Sequence, residues 1–493
     1  MHPLERIMEP RSIAFYGASN NPLKMGSMQL ANLLESGYRG EVYPIHPSEE
    51  RVMGLPAFRN LEEVGREVDL AQLVLPTRVV PGVLEECGKH GIRRAIIISG
   101  GFAETLADEG RRLEREIREI AARYGIRFLG PNCVGIQNAL CRLNTTTIPE
   151  PPFGGGFAVV SQSGAYTSML NPYLRSQGMK ICQTVSVGNE ADIDIVDCLE
   201  YFAGRDEVRA VGLYVEAVRR PRDFICAARR TAARKPVVAV YVGGNEAGSR
   251  SSLSHTGAVT GPDELYDGLF RQAGVMRAED MDGMIDCLWA LSTQPLPPGN
   301  RMAVITNSGG PGTSLAYHLE KAGMRVPLFS SRLQARLREL AGAMTAVANP
   351  VDITFTTNIY LYKDLLETVF ASGEVDGAFI YGIFGAADMG VNIKKRLPEL
   401  APMESAWDEK FLAFLPSLAR VPHEHGKPLL VMSFLGTGSA TVRALVESDL
   451  PVFTSASRAV RAMEGLLRYR ELRGSLADEE EKVSRAAASL GLR

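Results

Sequence analysis

Phe157-Ala158-Val159-Val160-Ser161-Gln162-Ser163-Gly164-Ala165 decides the fold class. Four consecutive apolar residues read as a strand buried on both faces. Ser161 to Ala165 reads as a turn of small residues, and Tyr166 to Gln177 as the helix it opens into. The same grammar stands upstream, where Ser12 to Tyr16 is a strand, Gly17-Ala18-Ser19-Asn20-Asn21 a turn and Met25 to Leu34 a helix. It stands again downstream, with Met302 to Thr306, the turn Asn307-Ser308-Gly309-Gly310-Pro311-Gly312, and a helix over Thr313 to Ala322. Near-continuous apolar strands separated by helices mean parallel sheets covered on both faces.

Working outward from these turns, further strands are expected at Glu41 to Ile45, Leu70 to Leu75, Arg94 to Ile98, Ala210 to Val215, Pro236 to Tyr241 and Pro428 to Ser433. Glu104 to Tyr124 reads as helix. Two proline-rich stretches, Ile148-Pro149-Glu150-Pro151-Pro152 and Gln294-Pro295-Leu296-Pro297-Pro298-Gly299, separate three units. That number agrees with a length of 493 residues at ~150 residues per domain. Asp388 to Pro428 reads mostly as interrupted helix outside the sheet grammar, and the tail after Arg470 as a solvated helix.

Composition narrows the function classes. Hydrophobic residues make up 45% and charged residues 23%, which is ordinary globular material. The formal charge of −3 lacks the basic excess of a broad nucleic-acid-binding surface. No apolar run approaches the ~20 residues of a membrane span. The start Met1-His2-Pro3-Leu4-Glu5-Arg6 has no signal-peptide core, so a cytoplasmic location is expected. Seven scattered cysteines without a CxxC pair indicate neither a disulfide framework nor a zinc site.

Four places carry candidate chemistry. The turn Gly17 to Gly26 offers backbone N–H groups to an anion, with Lys24 at the helix start, although it is not a GxGxxG fingerprint. The turns holding Ser161, Ser163 and Gly164, and Asn307, Ser308, Gly309 and Gly310, each place small side chains at a helix N-terminus. Two such termini aimed at one point hold a phosphate, while each alone is an ordinary capped turn. His255 lies in a Gly/Ser/Thr-rich stretch after a strand, where a histidine acts as nucleophile if something orients its ring. Glu216, at the end of Leu213-Tyr214-Val215-Glu216, is placed to accept the Nδ1 proton, or is simply a charge at a strand's rim.

Together these residues make the chain resemble the α subunit of NDP-forming acyl-CoA synthetases, in particular the ADP-forming acetate–CoA ligases, and more distantly the succinyl-CoA synthetase α subunit. The motifs are Tyr16-Gly17-Ala18-Ser19, Gly130-Pro131-Asn132-Cys133-Val134-Gly135-Ile136, Ser161-Gln162-Ser163-Gly164, Val187-Gly188-Asn189-Glu190-Ala191-Asp192, Ser254-His255-Thr256-Gly257-Ala258, Thr306 to Gly312 and Asn349-Pro350-Val351-Asp352. The resemblance implies an α/β chain with a Rossmann-like CoA-binding domain over 1–148, two flavodoxin-like ligase domains over 153–294 and 299–472, and a tail over 473–493. By family pattern, coenzyme A lies against Gly17, Ser19, Lys24, Pro44, Val74, Pro76, Ser99, Gly100, Asn132 and Cys133. Cys133 falls near the thioester end, and equally reads as a small buried hydrophobe.

The implied chemistry runs from acyl-CoA, ADP and phosphate to carboxylic acid, CoA and ATP, and is reversible. Phosphate held by the two turns attacks the acyl carbonyl, His255 oriented by Glu216 takes the phosphoryl group, and ADP with Mg²⁺ accepts it. No ATP-grasp segment is present, so a full cycle implies a separate ATP-grasp β-type partner. Ile353-Thr354-Phe355-Thr356-Thr357 stands where relatives often carry a Gly-Asp pair, a departure that bears on the acyl group. Two other classes compete. A non-catalytic acyl-CoA-binding or regulatory protein needs none of His255, Glu216 and the two turns. An NAD-linked oxidoreductase is disfavoured by Ile45-His46-Pro47 where a ribose-binding acid is expected.

Overall fold

The apolar runs form three sheets. The computed structural model describes residues 2–149, 154–248, 260–342, 345–354, 358, 360–383 and 401–489. The first sheet holds β1 (Ser12–Tyr16), β2 (Glu41–Ile45), β5 (Leu70–Leu73), β6 (Arg94–Ile97) and β7 (Arg127–Leu129) in the order β2-β1-β5-β6-β7, all parallel. Between β2 and β5, β3 (Arg51–Val52) and β4 (Leu55–Pro56) make a small antiparallel ribbon. Every residue of β1 and β5 is buried, as helices on both faces require.

The second sheet is mixed. Its parallel part contains β10 (Phe157–Ser161), β11 (Gln183–Ser186), β12 (Ala210–Val215), β13 (Val237–Tyr241) and β14 (Met276–Ala278). Two short strands that precede it in the chain extend it, β8 (Ile136–Asn138) antiparallel to β11 and β9 (Leu143–Asn144) antiparallel to β8, giving β14-β13-β12-β10-β11-β8-β9. Runs of three and two residues are too short to show period-two alternation, so sequence reading misses them. The third sheet, β15 (Met302–Thr306), β16 (Val351–Asp352), β17 (Gly377–Tyr381), β18 (Leu429–Met432) and β19 (Val452–Phe453), is parallel in the order β16-β15-β17-β18-β19.

The chain forms two compact units. One comprises Met1–Arg175 with Lys180–Met284 and contains the first two sheets; the other comprises Ser176–Met179 with Ile285–Arg493. Within the first unit, the segment after β11 is stitched along the end of β7. Phe128 N–H donates to Asp192 Oδ2 at 2.7 Å, Arg127 Nε to Asp192 Oδ1 at 2.8 Å, and Asn189 N–H to the Pro131 carbonyl at 2.9 Å. Gly188 is required here, since a Cβ would lie 2.3 Å from the Pro131 carbonyl oxygen.

The helices after the glycine turns begin earlier than their apolar patterns predict, at Gly164 (Gly164–Ser176) and Gly309 (Gly309–Lys321). The turn residues form the first helical turn, where Pro311 loses no intrahelical hydrogen bond. The expected helix from Glu104 is split. A 3₁₀ turn over Ala103–Thr105 ends at Leu106 with φ 60°, and the helix proper is Asp108–Tyr124. The last helix, Ala456–Ser489, starts well before Arg470 and buries Ala459, Ala462, Met463 and Leu466. Of the stretch from Asp388 to Pro428, 384–400 lie outside the described residues, and Ala401–His425 is helical. No described helix is long and apolar enough to cross a membrane.

Candidate functional site

In an open parallel sheet, ligands bind beyond the strands' carboxyl ends where the strand order reverses. In the first sheet that point lies between β1 and β5, and the chain is drawn tight there. Gly17, directly after β1, has φ +94°, and a Cβ on it would stand 1.9 Å from the Val74 carbonyl oxygen just after β5. Ser19 N–H donates to Ser27 Oγ at 3.1 Å, and Ser27 Oγ–H donates to the Ser19 carbonyl at 2.8 Å, fixing the turn on its helix.

A cavity of about 540 Å³ opens at this edge. One wall comes from the first sheet's ends, with Val74, Ser99, Gly100, Asn132 and Cys133; the other holds Ser163, Gly164, Ala165 and Ser168 of the turn and helix after β10. Ser99 Oγ–H donates to the Leu75 carbonyl at 2.6 Å and accepts from its N–H at 3.2 Å, so its hydroxyl ties the β5 and β6 ends together. Asn132 is left-handed (φ 57°) and donates its N–H to the Ser99 carbonyl at 2.9 Å. Cys133 is buried, its thiol 3.4 Å from the Ile97 carbonyl, and burial pushes its pKa up to about 12. It stays a protonated wall residue at neutral pH.

Five of the ten residues assigned to CoA by resemblance line this cavity. Gly17, Ser19, Lys24, Pro44 and Pro76 do not. Lys24 is exposed at the start of helix Met25–Glu35, Pro44 is buried in β2, and Pro76 precedes a 3₁₀ turn.

In the second sheet the order reverses between β10 and β12, which places Ser161 and Glu216 at adjacent strand ends. Ser161 Oγ–H donates to the Ser163 carbonyl at 2.8 Å and accepts from Ser163 N–H at 3.1 Å. In the first turn of helix Gly164–Ser176, Tyr166 N–H donates to Ser163 Oγ at 3.4 Å and Thr167 N–H to the Ser163 carbonyl at 3.2 Å, while the N–H groups of Gly164 and Ala165 lack a helical partner and suit an anion. Glu216 is buried at 6% exposure. Its backbone N–H donates to Gln162 Oε1 at 2.5 Å, so Gln162 joins the two strand ends. His255, expected opposite Glu216, lies outside the described residues.

Sequence reading did not single out the side chains of Gln162 and Glu190, which the structure pairs beside Glu216. Both lie inside quoted motifs, but only the fold brings them together, with Gln162 Nε2 donating to Glu190 Oε2 at 2.7 Å. Burial, then the neighbouring Asp194, lifts the Glu190 pKa to about 8 against the pull of Arg219, 3.8 Å away.

In the second unit the turn after β15 repeats this construction. Thr306 Oγ1–H donates to the Ser308 carbonyl at 2.8 Å and accepts from its N–H at 3.0 Å. Asn307 Nδ2 donates to the Gly382 carbonyl beyond β17 at 2.7 Å, across that sheet's own reversal point. Ser308 directly precedes the helix whose first residues are Gly309 and Gly310, beside Asp352, and its hydroxyl donates to Asn307 Oδ1 at 3.1 Å rather than capping the helix. Among the described residues no group of three or more His, Cys, Asp or Glu side chains is arranged to hold a metal ion.

Comparisons with known proteins agree with this construction. Residues 11–139 match a CoA binding domain family and residues 154–291 a succinyl-CoA ligase like flavodoxin domain family. The α subunit of ADP-forming acetate–CoA ligase II from Pyrococcus furiosus is 41% identical over 351 residues, 71% of this chain and 76% of the relative. The α subunit of isoenzyme I from the same organism is 32% identical over 473 residues, 94% of this chain and 97% of the relative. Among solved structures, a dinucleotide-forming acetyl-coenzyme A synthetase 1 from Ca. Korarchaeum cryptofilum, in complex with phosphate and ADP, superposes with a TM-score of 0.83 at 30% identity. That superposition covers 97% of this chain and 99% of the other.

Proposed function

We propose that this chain, which belongs to the family of ADP-forming acetate–CoA ligase α subunits, is the CoA-binding, phosphohistidine-bearing subunit of an acid–thiol ligase. The reaction is acyl-CoA + ADP + phosphate ⇌ carboxylic acid + CoA + ATP. The observation that carries the reading is the shared cavity, in which the first sheet's ends face the Ser163–Gly164 helix terminus. A CoA thioester on the first wall then presents its carbonyl to a phosphate on the second.

That juxtaposition supports the first step, and the later steps complete the proposed cycle. Ser163, Gly164 and the helix N-terminus hold phosphate and lower the cost of gathering negative charge; Ser308, Gly309 and Gly310 form a second turn of the same phosphate-binding type. A phosphate oxygen attacks the acyl carbon, the C–S bond breaks, and CoA leaves as thiolate. Cys133 takes no covalent part, because its thiol holds its proton. A ring nitrogen of His255 attacks the acyl phosphate's phosphorus, releasing carboxylate, while Glu216 holds the other ring N–H. The phosphoryl group finally passes to ADP on a separate ATP-grasp partner, with Mg²⁺ arriving on the nucleotide.

Labelling tests this reading. The complex with its ATP-grasp partner is incubated with [γ-³²P]ATP, and acid-labile, base-stable label on this chain is measured in wild type and His255→Ala. Label present in the first and absent from the second is expected. Equal label in both overturns the reading.

A further inference from the structure

We infer that Glu190 is a positioning residue for phosphoryl transfer, setting the orientation of Gln162 and through it the strand end that carries Glu216. The inference rests on the roles given above to His255 and Glu216.

Gln162 uses its whole amide. Oε1 accepts from Glu216 N–H at 2.5 Å and from Ala217 N–H at 3.1 Å, while Nε2 donates to the Ala217 carbonyl and to Glu190 Oε2, both at 2.7 Å. A flipped amide would set its oxygen against a carbonyl and a carboxylate, and its NH₂ against two N–H groups. The orientation that holds Glu216 in place is therefore set from both sides, by the two N–H donors on Oε1 and by two acceptors on Nε2, of which Glu190 is one. Val218 N–H donates to Tyr266 Oη at 3.0 Å, so three successive backbone groups beyond β12 are pinned.

Glu190 is itself fixed. Its backbone is left-handed (φ 52°) and its side chain 2% exposed, and Oε1 accepts from Ile195 N–H at 3.0 Å, at the start of helix Ile195–Ala203. Both oxygens thus meet donors, and an ionised carboxylate satisfies them all. A proton on either oxygen sets an O–H against an N–H. Among the described residues, the charged and titratable groups around it are Asp194, Arg219, Cys198 and Tyr266, with Glu216 one residue beyond through Gln162. With its pKa lifted to about 8, the ionised fraction rises across the neutral-to-alkaline range.

The test is the initial rate of phosphoenzyme formation in the complex with its ATP-grasp partner and [γ-³²P]ATP, from pH 6 to 9. Wild type should show a rate limb rising through pH ~8. Glu190→Gln should label about tenfold more slowly, without that limb and with CoA binding retained. A wild-type profile flat between pH 7 and 9, which needs no variant to fold, overturns the inference. So does a Glu190→Gln rate and profile equal to wild type. If wild type fails to label, or His255→Ala labels equally, the phosphohistidine reading falls and takes this inference with it. Label abolished only by His255→Ala, with Glu190→Gln unaffected, overturns the inference alone.

Discussion

Ser161 and Thr306, the last residues of β10 and β15, make the same pair of bonds. Each hydroxyl donates to the carbonyl of the residue two positions on and accepts from that residue's N–H, at 2.8 and 3.1 Å for Ser161 and 2.8 and 3.0 Å for Thr306. The closed turn presents Ser163 and Ser308 at helix starts. Ser161→Ala and Thr306→Val should each remove about 1 kcal/mol of turn stability. The expected result is a several-fold rise in KM for phosphate with CoA affinity unchanged, read by steady-state kinetics and calorimetric titration.

Gly17 tests the close approach of the β1 and β5 ends. Gly17→Ala forces a Cβ to within 1.9 Å of the Val74 carbonyl oxygen at φ +94°, whereas Gly54→Ala, at φ +84°, meets nothing within 4 Å. Gly54→Ala should lose about 1 kcal/mol from backbone strain alone. Gly17→Ala should lose about 3 kcal/mol or more, together with CoA binding. Urea unfolding of both variants beside wild type separates clash from strain.

Cysteine chemistry distinguishes a wall from a nucleophile. Burial holds the Cys133 pKa at about 12, while Cys226 is exposed. Alkylation at pH 8 should modify Cys226 and leave Cys133 intact, as mass spectrometry of peptides will show. Cys133→Ser should retain acyl transfer within about threefold; a loss of several orders of magnitude would sink the assignment.

Asp286 tests the second unit's interior. It is fully buried and accepts from Arg458 Nε at 3.1 Å and from an Arg458 terminal nitrogen at 2.7 Å, joining helices Met281–Thr293 and Ala456–Ser489. Asp286→Ala should cost about 3–5 kcal/mol, because a part-buried guanidinium loses the buried carboxylate it is bonded to. Replacing both residues with apolar ones of similar volume should restore most of that loss in thermal melts.

Asp376 gives an acid-side signature. Burial pushes its pKa up, but hydrogen bonds from Arg301 at 2.8 and 2.9 Å outweigh burial and hold the carboxyl below its ordinary value. Its contribution to stability is therefore present above pH ~4 and is lost as pH falls through the lowered value. Asp376→Asn should be less stable than wild type at pH 7 and converge with it at low pH, as followed by circular dichroism.

The sheet grammar was legible because β1, β10, β12, β15 and β17 are buried along their whole length, and such strands show as unbroken apolar runs. The glycine turns were legible because Gly17 follows its run directly and Gly164 and Gly309 follow theirs within three residues. The β8–β9 pair was not, since its residues gain strand identity only from pairing with β11. Gln162 and Glu190 are 28 positions apart, and no local pattern tells that the amide of one meets the carboxylate of the other. The same holds for the cavity, whose walls come from segments that only the tertiary fold brings together.

The stitching of Asp192 onto Arg127 and Phe128, and the pairing of β8 with β11, also fix an order of events during synthesis. The first sheet's last strand leaves the ribosome about 60 residues ahead of the acid that clamps it, at translation rates of seconds for that length. Until then β7 and the β8–β9 pair are nascent edges awaiting partners. Pausing translation before residue 195 should therefore leave the amino-terminal sheet protease-sensitive at its β7 end, although every one of its own five strands has already been made.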